Sequence, residues 1–163
     1  MSSKWPLLPI LFFGMLLGFF TGSVKAESTE DILCLAENIY FEARSESTAG
    51  RIAVALVTLN RVEHANFPDT VCGVVKQTKY YPSGRIDLHS CQFSWYCDGK
   101  SDKPTEKCWD DIVLLASIML GWDATDITDG ALWYHSKKVN PDWASHYVQT
   151  VSIDNHIFYK PLD

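Results

Sequence analysis

The sequence predicts an α+β domain, mostly helical with a small antiparallel β element. Three observations carry that expectation. Two amphipathic patterns with helical spacing run back to back between Glu30 and Glu63. A third apolar helical run, "PTEKCWDDIVLLASIMLGW", spans Pro104 to Trp122. The tail then changes period: "ALWYHS" and "YVQTVSIDNHIFYK" alternate and are rich in aromatic and β-branched residues. Helices followed by a compact strand cluster define the α+β class.

Each element has its own signal. In Glu30–Arg44, Ile32, Leu35, Ala36, Ile39, Tyr40 and Ala43 recur at spacings of three and four, the stripe of a helix packed by one face. Ser47 and Thr48 supply cap chemistry for a second helix, about Ala49 to Glu63. Its Ile52, Ala55, Leu56, Leu59 and Val62 share a stripe, and most other positions are apolar too, so it is expected to be the buried central helix. "NFPDT" at Asn66–Thr70 reads as a turn, with Asp69 or Thr70 capping a short helix that ends near Gln77. Residues 78–103 are rich in Tyr, Gly, Ser, Pro and Asp and read as a long loop with one short strand. Pro104 suits a first helical turn and Gly121 a helix end. "IDNH" is placed to turn between the last two strands.

The first residues are of another kind. Trp5 to Val24 is an uncharged stretch of 20 residues, and "VKA" follows it at Val24–Ala26. This reads as a signal peptide over residues 1–26, with an uncleaved membrane anchor as the alternative. Its removal leaves residues 27–163 as one domain of 137 of the 163 residues. Lys4 and Lys25 leave with it, so 12 basic residues face 20 acidic ones, a net charge of about −8. A surface of that sign argues against nucleic acid as a partner, because such binding needs cations to displace counterions. A polysaccharide, held by aromatic faces and hydrogen bonds, remains compatible.

All five cysteines lie in the exported part, where disulfides form. Cys91 and Cys97 close a short loop and are the first expected pair; Cys34 with Cys72 is the second. Cys108 is left over. No C-x-x-C pair, H-E-x-x-H or Gly-rich phosphate loop occurs, so neither a metal nor a cofactor is expected.

Three segments concentrate polar groups among aromatic ones. In "NIYFEARSE", Asn38–Glu46, Glu42 borders the apolar stripe of the first helix. A carboxyl there would be partly desolvated, its pKa raised, and so able to donate a proton at neutral pH. Periodicity alone favours the plainer alternative, a solvated boundary glutamate. Glu46 is expected to favour the dipole of the second helix, with substrate contact as a secondary role. Arg44 and Arg61 read as structural partners of these acids. In "CQFSWYCDG", Cys91–Gly99, the aromatic faces of Phe93 and Trp95 and the hydrogen-bonding groups of Gln92 and Ser94 suit sugar rings, or pin a core. In "ALWYHSKKVNPDW", Ala131–Trp143, the candidates are Tyr134, His135 and Trp143.

Taken together, "AENIYFEARSESTAGRIAVALVTLNRV" (Ala36–Val62), "FPDTVCGVV" (Phe67–Val75), "CQFSW" (Cys91–Trp95), "ALWYH" (Ala131–His135) and "NHIFY" (Asn155–Tyr159) resemble the SleB-like cell-wall hydrolase family, the spore-cortex-lytic enzyme type. The resemblance covers nearly all of the chain after the leader. It implies a lysozyme-like fold and cleavage of peptidoglycan glycan strands between N-acetylmuramic acid and N-acetylglucosamine, as lytic transglycosylases do. It places the catalytic glutamate at Glu42, the first glutamate of the E-A-R-x-E element. Glu46, Gln92, Phe93, Ser94, Trp95, Tyr134, His135 and Trp143 are then the expected substrate-binding residues. The expected partner is peptidoglycan, met in the periplasm or outside the cell by a monomer that touches a membrane only through its N-terminal segment. The competing expectations are a non-catalytic exported glycan binder, and a metal-dependent amidase using His135 and His156. The cysteines, and a chain without a separate peptidoglycan-binding repeat, depart from the spore enzymes, so remodelling or lysis of a wall is expected rather than germination.

Overall fold

A computed structural model describes residues 28–121 and 125–162. The expected signal peptide, residues 1–26, lies outside the described residues. Among the described residues are four α-helices, a three-stranded antiparallel sheet and two 3-10 turns.

Helix α1 (Thr29–Ala43) starts where Ser28 Oγ accepts from the Asp31 amide, and α2 (Thr48–Glu63) where Ser47 Oγ accepts from Gly50 N. Each side chain satisfies an amide that a helix start leaves unpaired. Helix α3 (Val71–Val75) is capped by Thr70, whose Oγ1 accepts from Gly73 N. Helix α4 (Trp109–Gly121) begins later than Pro104 suggested. Residues 105 and 106 reach back to α1 instead: Thr105 N donates to Tyr40 Oη, and Arg44 pairs with Glu106 at 2.9 Å. In the loop between α3 and α4 the expected short strand is an isolated bridge, Tyr80 to Ile86, followed by a 3-10 turn at Ser94–Cys97.

The strands β1 (Trp133–Ser136), β2 (Val148–Ile153) and β3 (His156–Lys160) are ordered β1-β3-β2. Tyr134 faces Phe158 across β1 and β3, and the β2–β3 register shifts between Gln149 and Ser152. A 3-10 turn, Asp142–His146, leads into β2.

Helix α2 is central, as its apolar composition predicts. One side joins α1, α3 and α4 in a core built on Leu35, Ile39, Val74, Val75 and Ile112. The other side meets the sheet through Ala53, Val57, Ala131 and Phe158. Burying a leucine-sized side chain stabilises by about 1.5–3 kcal/mol, so α2 is what fixes sheet against helices. Both expected disulfides are formed, Cys34–Cys72 between α1 and α3, and Cys91–Cys97 across the 3-10 turn; Cys108 is free.

Candidate active site

The site forms where the last turns of α1 and α2 meet β1. Glu42 occupies the last turn of α1 and Arg61 the last turn of α2. Tyr134 comes from β1. Its placement depends on the turn at residues 126–130, where the Asp126 carboxylate accepts from Thr128 N and Gly130 N, both at 2.7 Å. Gly130 has a φ of 74°, which glycine adopts without strain. Asn60 of α2 then holds this turn by donating to Asp126 and to the Ala131 carbonyl. The fourth wall is Cys91–Ser94, carried by the long loop. Together these residues enclose a cleft of about 220 Å³ lined by Glu42, Arg61, Gln92, Phe93, Ser94 and Tyr134, with Cys91 at its edge.

Glu42 is half-buried, and Tyr134 Oη donates to its Oε2 at 3.1 Å. Burial raises the Glu42 pKa; the Tyr134 hydrogen bond and the Arg61 charge pull it back, but the net direction is up. Desolvation wins because the charged form loses its hydration, and one phenolic donor replaces only part of it. Burial also raises the pKa of Tyr134, helped by the neighbouring Glu42 charge. Tyr134 therefore stays a donor.

Arg61 is buried, with 2% of its surface exposed. Its Nε donates to the Leu132 carbonyl at 2.7 Å. The Gln92 amide oxygen, turned toward it, accepts from both terminal nitrogens at 3.2 and 3.3 Å. The Phe67 and Phe93 rings each lie 5.3 Å from the guanidinium carbon. Desolvation pushes its pKa down to about 10, so it remains cationic at neutral pH. Arg61, which the sequence marks as a structural partner of the acids, places its positive charge beside Glu42 and also holds the Gln92 wall. Only its position on a mainly buried helix hinted at this.

The other expected residues are dispersed. Trp95 is buried, stacks on Phe41 at 4.6 Å and donates from Nε1 to Asn38 Oδ1. Its neighbours Gln92, Phe93 and Ser94 line the cleft. Glu46 accepts from Asn155 N and Nδ2 and so anchors the β2–β3 turn. His135 alternates with Tyr134 along β1, its Nε2 2.9 Å from Tyr159 Oη. Trp143 packs edge-on against both His135 and Tyr159. Asp98, at the end of the same segment, is exposed and accepts from Lys100 N, which lowers its pKa. Glu42 is thus the one carboxylate among the residues lining the cleft. Among the described residues no group of three or more His, Cys, Asp or Glu converges as a metal site.

A helical body with a small sheet, and a lone half-buried glutamate in a cleft between them, defines a protein of the lysozyme-like class. Comparison with known proteins narrows that class. The family model "Cell Wall Hydrolase" matches residues 45–159. Spore cortex-lytic enzymes from Oceanobacillus iheyensis and Bacillus subtilis are 35% and 32% identical over 141 and 136 residues, covering 82% and 80% of this chain. They cover 42% and 38% of those relatives, so the chain spans less than half the length of the curated proteins it matches. The catalytic domain of the germination-specific lytic transglycosylase SleB from Bacillus anthracis superposes with a TM-score of 0.62 at 32% identity, over 83% of this chain and 98% of that one. The catalytic domain of the Bacillus cereus SleB protein gives 0.59 at 33% identity, over 88% and 99%. The chain belongs to the cell wall hydrolase family. Glu42 lies three residues before the matched segment.

Proposed function

We propose that the protein cleaves peptidoglycan glycan strands between N-acetylmuramic acid and N-acetylglucosamine as a lytic transglycosylase, acting as a monomer in the exported compartment. The observation that carries this is the solitary carboxylate: Glu42 lines the cleft, half-buried, with a raised pKa and a hydrogen bond from Tyr134. Hydrolysis by two acids needs a partner carboxylate about 5–5.5 Å away for retention or about 6.5–9.5 Å away for inversion. Transglycosylation needs one. Protonated Glu42 gives its proton to the glycosidic oxygen as the bond to C1 breaks. The resulting carboxylate takes a proton from the C6 hydroxyl of the same muramic residue, and that oxygen closes on C1 as a 1,6-anhydro ring. Glu42 ends protonated, and no water is consumed. Tyr134 holds the carboxyl in place through both transfers, and the Arg61 charge steadies the transient carboxylate. Gln92 and Ser94 offer hydrogen bonds to the sugar, with Phe93 behind them.

Mass spectrometry of soluble products from purified peptidoglycan tests the proposal. Anhydro-ended muropeptides, lighter by one water than hydrolysis products, are expected from the wild type and absent with Glu42→Gln. Reducing-end products would instead make the protein a hydrolase. Tight binding without release would make it a glycan binder.

A further inference from the structure

The long loop between α3 and α4 carries a second built feature. Residues 78–90 form a hairpin held by the Tyr80–Ile86 bridge, with Tyr81 N donating to the Arg85 carbonyl and Asp87 N to the Lys79 carbonyl, both at 2.8 Å. One face is a groove of about 500 Å³ lined by Tyr81, Arg85, Ile86, Leu88 and His89. Tyr81 and Leu88 are 43% and 62% exposed, far more than a core would leave them. The Arg85 guanidinium lies over the Tyr81 ring at 5.2 Å. The nearby Asp87 carboxylate is occupied by Tyr81 Oη and His89 N. Among the described residues Arg85 has no ion-pair partner.

The hairpin adjoins the catalytic cleft. Cys91, at the cleft edge, has its Sγ 3.1 Å from Thr78 Oγ1 and 3.9 Å from the Asp87 carbonyl. Gln92 N, in the cleft wall, donates to the Gln77 carbonyl at 2.9 Å. Charge also sets the hairpin apart. Lys76, Lys79 and Arg85 against Asp87 give residues 76–90 a net positive charge in a chain of net −6. In peptide-bearing strands the lactyl carboxyl of each muramic residue is tied up in its amide bond to the stem, so the glycan itself gives a cation no counter-charge. The stem peptides of peptidoglycan do, because they carry free carboxylates beside short aliphatic side chains.

We infer that the groove at Tyr81, Arg85, Leu88 and His89 is a subsite for the stem peptide of the wall polymer, with Arg85 pairing a stem carboxylate and Leu88 and Ile86 covering its aliphatic part. This rests on peptidoglycan being the substrate, and it adds that the protein recognises the stem carboxylates as well as the glycan. An exposed ion pair strengthens binding by up to about fivefold and is weakened by salt.

Co-sedimentation of the full chain carrying Glu42→Gln, which leaves the polymer uncut, provides the test. The probes are intact sacculi and the same sacculi whose stem carboxylates have been converted to amides with a carbodiimide and ammonia, which keeps the cross-links and so the pellet. Binding to intact sacculi is expected to be about two- to fivefold tighter at low salt, with the gap closing as salt rises. Adding Arg85→Ala should remove the preference and leave binding to the amidated sacculi unchanged, while Arg85→Lys keeps part of it. Equal affinity for the two polymers, or equal weakening on both by Arg85→Ala, overturns the inference. Muropeptide release by the wild type from the same intact sacculi is scored separately. Release without that preference defeats the subsite alone; preference without release defeats the activity alone.

Discussion

Glu42→Gln separates chemistry from folding, and the structure sets the size of both effects. The substitution keeps the shape of the side chain and an oxygen for the Tyr134 hydroxyl, which now sits 3.1 Å from Oε2. It removes the only proton that the cleft can deliver from a carboxyl. General acid catalysis contributes about 10²–10⁴-fold, equivalent to about 3–5 kcal/mol of barrier, so activity should fall by that factor. Stability should move little and in the other direction. Burial raises the Glu42 pKa in the folded state. The wild type is therefore favoured at low pH, where the carboxyl is protonated in both states. It loses that advantage as pH climbs from the ordinary value of 4.5 through the folded value. Glutamine has no charge to bury. Against this, the bond to Tyr134 weakens from a charged to a neutral one, a loss of about 1 kcal/mol. The variant should melt within a few degrees of the wild type at pH 7. Its relative stability should fall as the pH is lowered through the folded value towards 4.5 and level off below that. The assays are muropeptide release at pH 7 and thermal melts between pH 3.5 and pH 8, by the general logic of proton linkage. Wild-type turnover by the variant would refute the role of Glu42. A drop in melting temperature of about 10 °C or more would mean that the lost activity reflects unfolding.

Three further outcomes follow from the same geometry. Tyr134→Phe removes a hydrogen bond that lowers the Glu42 pKa, so the acid stays protonated to higher pH. The alkaline limb of the pH–rate profile should move upward; an unmoved limb means that Tyr134 does not act on Glu42. Asn38→Leu strands Trp95 Nε1, which donates to Asn38 Oδ1 at 3.3 Å inside the core, whereas Thr58 Oγ1 loses the Asn38 Nδ2 donor but still donates to the Val54 carbonyl at 3.3 Å. At about 1–3 kcal/mol for the one stranded donor, urea denaturation should show a loss of that size, and a neutral result would mean that the helix packing rearranges to satisfy the indole. Opening Cys34–Cys72, at a sequence separation of 38, should destabilise by about 4 kcal/mol on loop entropy. Opening Cys91–Cys97, at a separation of 6, should cost about 2 kcal/mol; paired single-disulfide Cys→Ser variants under denaturant reverse that order if the short loop is what holds the cleft wall.

What the sequence disclosed follows from how local each signal is. The stripes of α1 and α2 were legible because their period needs no knowledge of the partner surface, and Ser47 and Thr70 because a cap bonds within three residues. Pro104 misled because a first-turn proline is also acceptable in a loop, and here Thr105 and Glu106 are drawn to Tyr40 and Arg44, some sixty residues earlier. The β2–β3 turn was visible in "IDNH", but its second task was not. Asp154, at a φ of 47°, accepts from Ser47 N and Oγ across 107 residues and so ties the sheet to the start of α2. That tie carries Glu46 with it: its carboxylate is engaged by Asn155 of the same turn. Two carboxylates one helical turn apart in sequence thus have different neighbours, one clamping a turn and one facing a cleft. Spacing alone could not separate them, because the difference lies in what β1 and β3 bring to each. Tyr134 and Asn155 set the cleft carboxylate apart from the clamp, and both lie about ninety residues or more beyond the glutamates they engage.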